Sequence, residues 1–378
     1  MKFPIVGRLS RAAAPACAAA AILASTALAQ PQPAAPAPEP ALPRYAHVFV
    51  IVEENKDYAQ VLSSAFAPHL AALARQYGDA TQFFGEVHPS EANYVAMLGG
   101  DTFGIHDDDA FYCRPGMQAD PACPGAAAPD YAAHTVTTPH LGDQLAALGL
   151  SWKGYYEDLP APGALAVVAG EVKTAAGPRP VAIYASKHSG FLNFASVQHD
   201  PRRAERIVDF KQLDADIAAE RLPNFALIVP NQCNEMHGLR GEGIDADCDA
   251  DNPGGLIGRG DRVLGKIVAR LQRTKAWKSQ DNVAIIVTFD EGAGKTREGC
   301  CAVTPDAVSN FGGGHIPTVV ITNHGPRGLK DPTPYNHYSL LRTLEAVFGA
   351  PDRLGHARDT AAGVVSMTPL FQVAGSAR

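Results

Sequence analysis

Ala46-His-Val-Phe-Val-Ile-Val-Glu-Glu-Asn55 decides the fold: an apolar run stops abruptly at two acids and an amide. Far along the chain, Asn282-Val-Ala-Ile-Ile-Val-Thr-Phe-Asp-Glu-Gly292 repeats the pattern. Runs this short and this rich in Val and Ile read as strands buried in a parallel sheet. In such sheets ligands bind outside the carboxyl ends of the strands. Carboxylates distant in sequence, Glu53-Glu54 and Asp290-Glu291, then meet at one edge, where buried negative charge needs a cation or hydrogen bonds. The pattern predicts a metal-dependent hydrolase.

Working outward, strands are expected over residues 47–52, 151–156, 224–229, 282–289 and 317–322. Helices are expected over 58–77, 93–99, 138–148, 210–220, 261–278 and 338–348. Residues 99–130 read as loop, and the Ala/Gly/Pro-rich stretch 161–179 as a surface insertion of low order. Strands alternating with helices predict an α/β domain, with a mostly parallel central sheet and helices on both faces.

The beginning of the chain has a different character. Lys2, Arg8 and Arg11, the apolar run from Ala12 to Leu28, and Ala27-Leu28-Ala29 before Gln30 read as an export signal over residues 1–29. Residues 30–44 form a Pro/Ala linker that cannot pack a core. One large domain is expected over 45–378, in a periplasmic or secreted protein. No later apolar stretch is long enough for stable membrane insertion. A net charge of −7 and no basic cluster with interleaved aromatics exclude a nucleic-acid partner. No pattern sets an oligomeric state. Without Cys17 six cysteines remain, an even number that favours disulfides in an exported protein. Close spacing suggests Cys113–Cys123 and Cys233–Cys248, and leaves the pairing of Cys300 and Cys301 open.

His88-Pro-Ser-Glu-Ala-Asn-Tyr94 places the Ser90 hydroxyl just ahead of a helix. Ser90 there is either a helix cap or a nucleophile whose product anion sits on the helix N-terminus. Glu54, Asn55, Asp290 and Ser90 would supply the oxygen donors for one divalent ion. The donor set suits Ca²⁺ or Mg²⁺ and leaves Mn²⁺, Fe and Zn²⁺ open. His188, His237, His315 and His337 fall in loops at strand ends, where imidazoles hold phosphate oxygens or protonate a leaving group. Lys187 adds an anion contact.

In these residues the chain resembles the secreted phosphoesterases that group bacterial and fungal acid phosphatases with phospholipases C. The markers run from Val-Glu-Glu-Asn55 through His-Pro-Ser90-Glu-Ala-Asn93-Tyr and Trp152-Lys-Gly-Tyr-Tyr-Glu-Asp158. They continue with Tyr184-Ala-Ser-Lys-His188, Val-Pro-Asn231-Gln-Cys-Asn-Glu235-Met-His237 and Thr-Phe-Asp290-Glu291-Gly. Gly-Gly-His315-Ile-Pro317 and Tyr335-Asn-His337-Tyr-Ser-Leu-Leu-Arg342 complete the series. Each is short, and their shared order makes the match specific. The resemblance implies an alkaline-phosphatase-like three-layer sandwich. It implies Glu54, Asn55 and Asp290 as metal ligands, Ser90 as nucleophile and ligand, and Glu291 as a further ligand or its neighbour. It also implies Asn93 as a phosphoryl donor, His237 and His315 as phosphate contacts or acids, and His188 as a further candidate at the substrate. The family often has Pro where Ala92 stands and Asp where Glu235 stands.

The function expected is an acid phosphatase acting on small phosphomonoesters through a phosphoserine intermediate. The alternatives are a phospholipase C, and a non-catalytic binding protein stabilised by a cation. A sulfatase-like enzyme would need a Cys/Ser-x-Pro-x-Arg motif, which the chain lacks.

Overall fold

A computed structural model of the chain describes residues 41–294, 296–302 and 312–373. The expected leader and nearly all of the linker lie outside them. The strands are β1 (His47–Glu53), β2 (Gly78–Ala80), β3 (Phe83–Phe84), β4 (Trp152–Tyr156), β5 (Val168–Thr174) and β6 (Gly177–Ala185). They continue with β7 (Ile207–Val208), β8 (Phe225–Val229), β9 (Val283–Phe289), β10 (Val319–Thr322), β11 (Leu329–Asp331) and β12 (Tyr335–Asn336). Eight of them form the central sheet, in the order β11-β2-β10-β9-β1-β8-β4-β7.

The centre of this sheet is parallel: β1 pairs with β8 on one side and with β9 on the other, and β8 pairs with β4. Every residue of β8 and β9 is buried, as is β1 from Val48 onward. Successive side chains point to opposite faces of a strand, so both faces of the sheet are covered. That is why these strands read as unbroken Val/Ile runs and not as alternating ones.

β10 is antiparallel to both β9 and β2. The sequence predicts its presence and does not reveal its direction. An antiparallel strand begins at the edge where its parallel neighbours end, so His315, ahead of β10, reaches the same edge as Asp290.

Three expectations are corrected. The helix expected over 58–77 is two, Tyr58–Leu62 and Pro68–Gln76, because Pro68 opens a helix more readily than it continues one. The helix expected from Asp261 starts at Pro253, where the Asn252 side chain accepts from Gly255 N, and it ends at Leu271. The glycines at 254, 255, 258 and 260 hid that start. The insertion over 161–179 is ordered from Val168, where β5 pairs antiparallel with β6. Cross-strand hydrogen bonding organises it despite its poor composition.

Three disulfides close locally: Cys113–Cys123, Cys233–Cys248 and the neighbours Cys300–Cys301. Among the described residues no helix is long and apolar enough to cross a membrane.

Ile286 pairs with Val50 on one side and Val320 on the other and has no exposed surface. Ile286→Ala is expected to cost about 2–5 kcal/mol. Denaturant unfolding would show this as a lower midpoint at unchanged slope; a loss below about 1 kcal/mol would mean the sheet centre is not close-packed.

Candidate active site

The register of β1 against β9 builds the site. Glu53 stands opposite Phe289, so the next residues, Glu54 and Asp290, leave the sheet side by side. Asp290 N donates to the Glu53 carbonyl (3.1 Å), and Asn55 N donates to Asp290 Oδ1 (3.1 Å). Asn55 takes a left-handed backbone, φ 55°, which Asn tolerates better than most residues. Glu54 N donates to the Glu235 carbonyl at 2.7 Å, tying in the loop after β8.

Ser90 precedes the helix Glu91–Gly99 and has a helical backbone, but its side chain makes no cap bond. Its hydroxyl donates instead to Glu54 Oε2 at 3.1 Å. Tyr94, one helical turn later and hence on the same face, donates to Glu54 Oε1 at 2.8 Å. Of the two readings of Ser90, the cap is absent and the hydroxyl faces the carboxylates.

Glu54, Asp290 and Glu235 are fully buried together. Burial pushes Glu54 well above the ordinary carboxylate range, and the charges of Asp290 and Glu235 add to it. Burial also raises Asp290, against the lowering effect of hydrogen bonds from Ser90 and from backbone amides. Asn55 Oδ1 and Asp290 Oδ2 are buried with no hydrogen-bond partner among the described residues. Orphaned oxygens beside a paired carboxylate and a serine hydroxyl fit a hard divalent cation. Glu291 sits against His88, Oε2 to Nδ1 2.7 Å, and burial lifts its carboxyl to about 7.

Two lysines enter this field. Lys56 Nζ donates to the carbonyls of Met236 (2.7 Å), Asn55 (3.2 Å) and Glu54 (3.5 Å), fastening the loops after β1 and β8. Its burial lowers its pKa, against the pull of the surrounding carboxylates. Lys187 is ion-paired with Asp108 at 2.7 Å. Burial alone would push Lys187 down, and the charges of Asp108 and Glu54 outweigh it and hold it above its usual value.

The histidines divide. His188 joins the cluster, with Nε2 3.2 Å from Glu54 Oε1 and Nδ1 2.8 Å from Glu235 Oε1. His237 lies beside it, ring centroids 5.5 Å apart. One ligand atom each of Glu54, His188 and His237 lies within 4.8 Å of the others. His315 is stacked on Tyr58, with Nε2 3.0 Å from the Thr81 carbonyl. His337 is spent on Glu86 and on the Phe289 carbonyl. Asn93 shapes the loop that carries Ser90. Its Oδ1 accepts from Glu86 N and Val87 N, and its Nδ2 donates to the Val87 carbonyl.

Sequence reasoning missed Tyr94, Lys56, Asp108 and the His188–Glu235 contact. Tyr94 was findable from its one-turn spacing after Ser90, and Lys56 from a lone cation directly after two acids. Asp108 carried no local signal, and Glu235 stood in a marker that gave it no role.

A Vibrio parahaemolyticus protein of the alkaline phosphatase superfamily shares the fold, with TM-score 0.50 and 16% identity over 83% of this chain and 69% of that one. The chain belongs to the Phosphoesterase family, whose model matches residues 62–351. The phosphatidylinositol-3-phosphatase of Mycobacterium tuberculosis is 30% identical over 311 residues, 82% of this chain and 79% of that one. The phosphate-repressible acid phosphatase of Penicillium chrysogenum is 28% identical over 312 residues, of which this chain spans 60% of the length. The acid phosphatase of Aspergillus fumigatus is 28% identical over 303 residues, with 55% of its length spanned. The chain is a phosphoric ester hydrolase.

Removing the buried cation that holds three carbonyls should loosen the site. Lys56→Met is expected to cost about 1.5–3 kcal/mol in thermal or denaturant unfolding and to lower phosphate release. Unchanged stability would show that Lys56 does not fasten these loops.

Proposed function

We propose that the chain is an exported, metal-dependent phosphomonoesterase of the acid phosphatase type, with Ser90 as nucleophile. The observation that carries this is the Ser90 hydroxyl donating at 3.1 Å to a fully buried Glu54 beside orphaned oxygens of Asn55 and Asp290. Glu54, Asn55, Asp290 and Ser90 would hold the cation, with Glu291 adjoining. When bound, the cation would favour the ionised serine and neutralise charge on phosphoryl oxygens.

Ser90 Oγ attacks phosphorus in line, its proton having an acceptor in Glu54 Oε2. The P–O bond to the leaving group breaks, and the alcohol departs with a proton drawn from solvent. Water then cleaves the phosphoseryl ester, releasing phosphate and restoring the hydroxyl. Ser90 sits at a helix N-terminus, where backbone dipoles favour the transferred anion. Lys187 reaches the same field from the loop after β6. Asn93 acts by holding the loop from Glu86 to Ser90.

The mycobacterial relative is named for a lipid-borne phosphomonoester, which supports including phosphorylated head groups among the substrates. A phospholipase C would cleave a diester instead. Export is supported by the leader read in residues 1–29.

Ser90→Ala should lose at least about 10³-fold in turnover of an aryl phosphate while keeping its unfolding midpoint; retained turnover rejects Ser90 as nucleophile. Chelation should abolish phosphate release from the wild type, and a divalent cation should restore it. Activity untouched by chelators rules out the metal dependence. Faster release of phosphocholine from phosphatidylcholine than of phosphate from an aryl phosphate or a phosphoinositide would select the phospholipase C.

A further inference from the structure

We infer that the side chain of Asp108 holds the place the phosphoryl group takes in the reaction, and that substrate and product phosphate compete with it there. The inference rests on the reading of Ser90 as nucleophile given above. The amide next to that nucleophile is Glu91 N, the first of the nine-residue helix Glu91–Gly99. A phosphoryl group on Ser90 Oγ lies against this amide, where the helix dipole favours an anion. Asp108 is already there: its Oδ1 accepts from Glu91 N at 3.1 Å.

The second oxygen of Asp108 is held from the opposite side. Oδ2 accepts from Lys187 Nζ at 2.7 Å, and Lys187 stands in the field of Glu54 and Asp290. Burial is the first influence on the pKa of His237 and of Glu291, and both also feel the charge of Asp108. The carboxylate therefore faces the site. A backbone N–H and a lysine ammonium, each on one oxygen of a single anion, are donors that suit a phosphoryl group equally well. A carboxylate in that position satisfies both, and a phosphoryl group that reaches for them has to turn it out.

The surroundings permit that exchange by side-chain rotation alone. Before Asp108, Asp107 Oδ1 lies 3.1 Å from His134 Nε2 and accepts from Asp109 N at 3.0 Å. After it, Asp109 Oδ2 accepts from Gly125 N at 2.9 Å and from the Tyr131 hydroxyl at 2.8 Å. The chain is thus pinned on both sides of Asp108, whose own side chain is 25% exposed and has water to turn into. Substrate displaces the carboxylate without opening the loop. On its return to Glu91 N and Lys187, Asp108 displaces product phosphate.

The test is calorimetric titration with inorganic phosphate, a divalent cation being present throughout, with turnover of an aryl phosphate and a melting curve for each variant. Asp108→Ala is expected to bind phosphate about 10-fold more tightly than wild type and to lower KM for the aryl phosphate by a similar factor. That is the worth of one charge-assisted hydrogen bond that no longer has to be exchanged. Asp108→Asn, of the same shape without the charge, should move in the same direction, and it decides the matter if Asp108→Ala does not fold. Lys187→Met should weaken phosphate by less than about 3-fold in wild type, where Asp108 already engages the lysine, and by about 10-fold in the Asp108→Ala background.

The opposite sign overturns the inference. Weaker phosphate and a raised KM in Asp108→Ala would make Asp108 only the support that positions Lys187. Unchanged affinity overturns it too, because phosphoryl oxygens would then lie away from Glu91 N. The hydrolytic reading fails separately, through Ser90→Ala that still turns over, since phosphate binding is measured without turnover. Tighter phosphate in Asp108→Ala with an active Ser90→Ala sinks the nucleophile alone, and unchanged phosphate with an inactive Ser90→Ala sinks only the role of Asp108.

Discussion

Glu54 and Asp290 are held side by side, fully buried, because β1 and β9 run parallel and in register up to Glu53 and Phe289. Two carboxylates taken out of water in contact repel and lose hydration together. Backbone amides, the Ser90 hydroxyl and the Tyr94 hydroxyl offset part of that cost. The remainder is tolerable only with protons or cations in place. The sheet thus sustains a local instability that its large buried core can carry.

The surrounding structure is arranged to keep this pair from relaxing. Asp57 accepts from Ala293 N and from the Thr296 hydroxyl, fixing the loop after β9 against the loop after β1. Glu86 takes both the backbone N and the imidazole of His337, and it lies in the turn whose other end is Ser90. Glu91 and Asp107 clasp His134 and are raised and lowered respectively in pKa, with Glu91 near 7 and His134 near 10. This second buried network anchors the loop carrying Asp108, which in turn holds Lys187. Rigid support of this kind is what positions reacting groups to within fractions of an ångström.

Much of the site was legible in the chain because its signals are local. Strand runs ending in Glu54-Asn55 and Asp290-Glu291 mark the edge, and Ser90 ahead of a helix offers a hydroxyl that need not be a cap. The hydroxyl of Ser90 reaching Glu54 agrees with that reading. Asn93 illustrates the limit: its type suits a phosphoryl donor, yet its amide is committed to Glu86, Val87 and Pro89. His315 and His188 looked equivalent as loop histidines. Only the folded chain sends one to a wall of aromatic rings and the other between two buried carboxylates.

The amino-acid order alone determined the class of fold, since burial on both faces leaves an unbroken apolar run that any register must respect. It also determined that acids would gather at one edge. Tertiary structure decided the direction of β10, the ordering of the β5–β6 hairpin and the neighbours of each imidazole nitrogen. The contacts at the site join residues a hundred or more positions apart, such as Glu54 with His188 and Asn55 with Asp290. A hydrogen bond or a shared ligand is set by ångström-scale placement, and no local pattern of residue types carries that information.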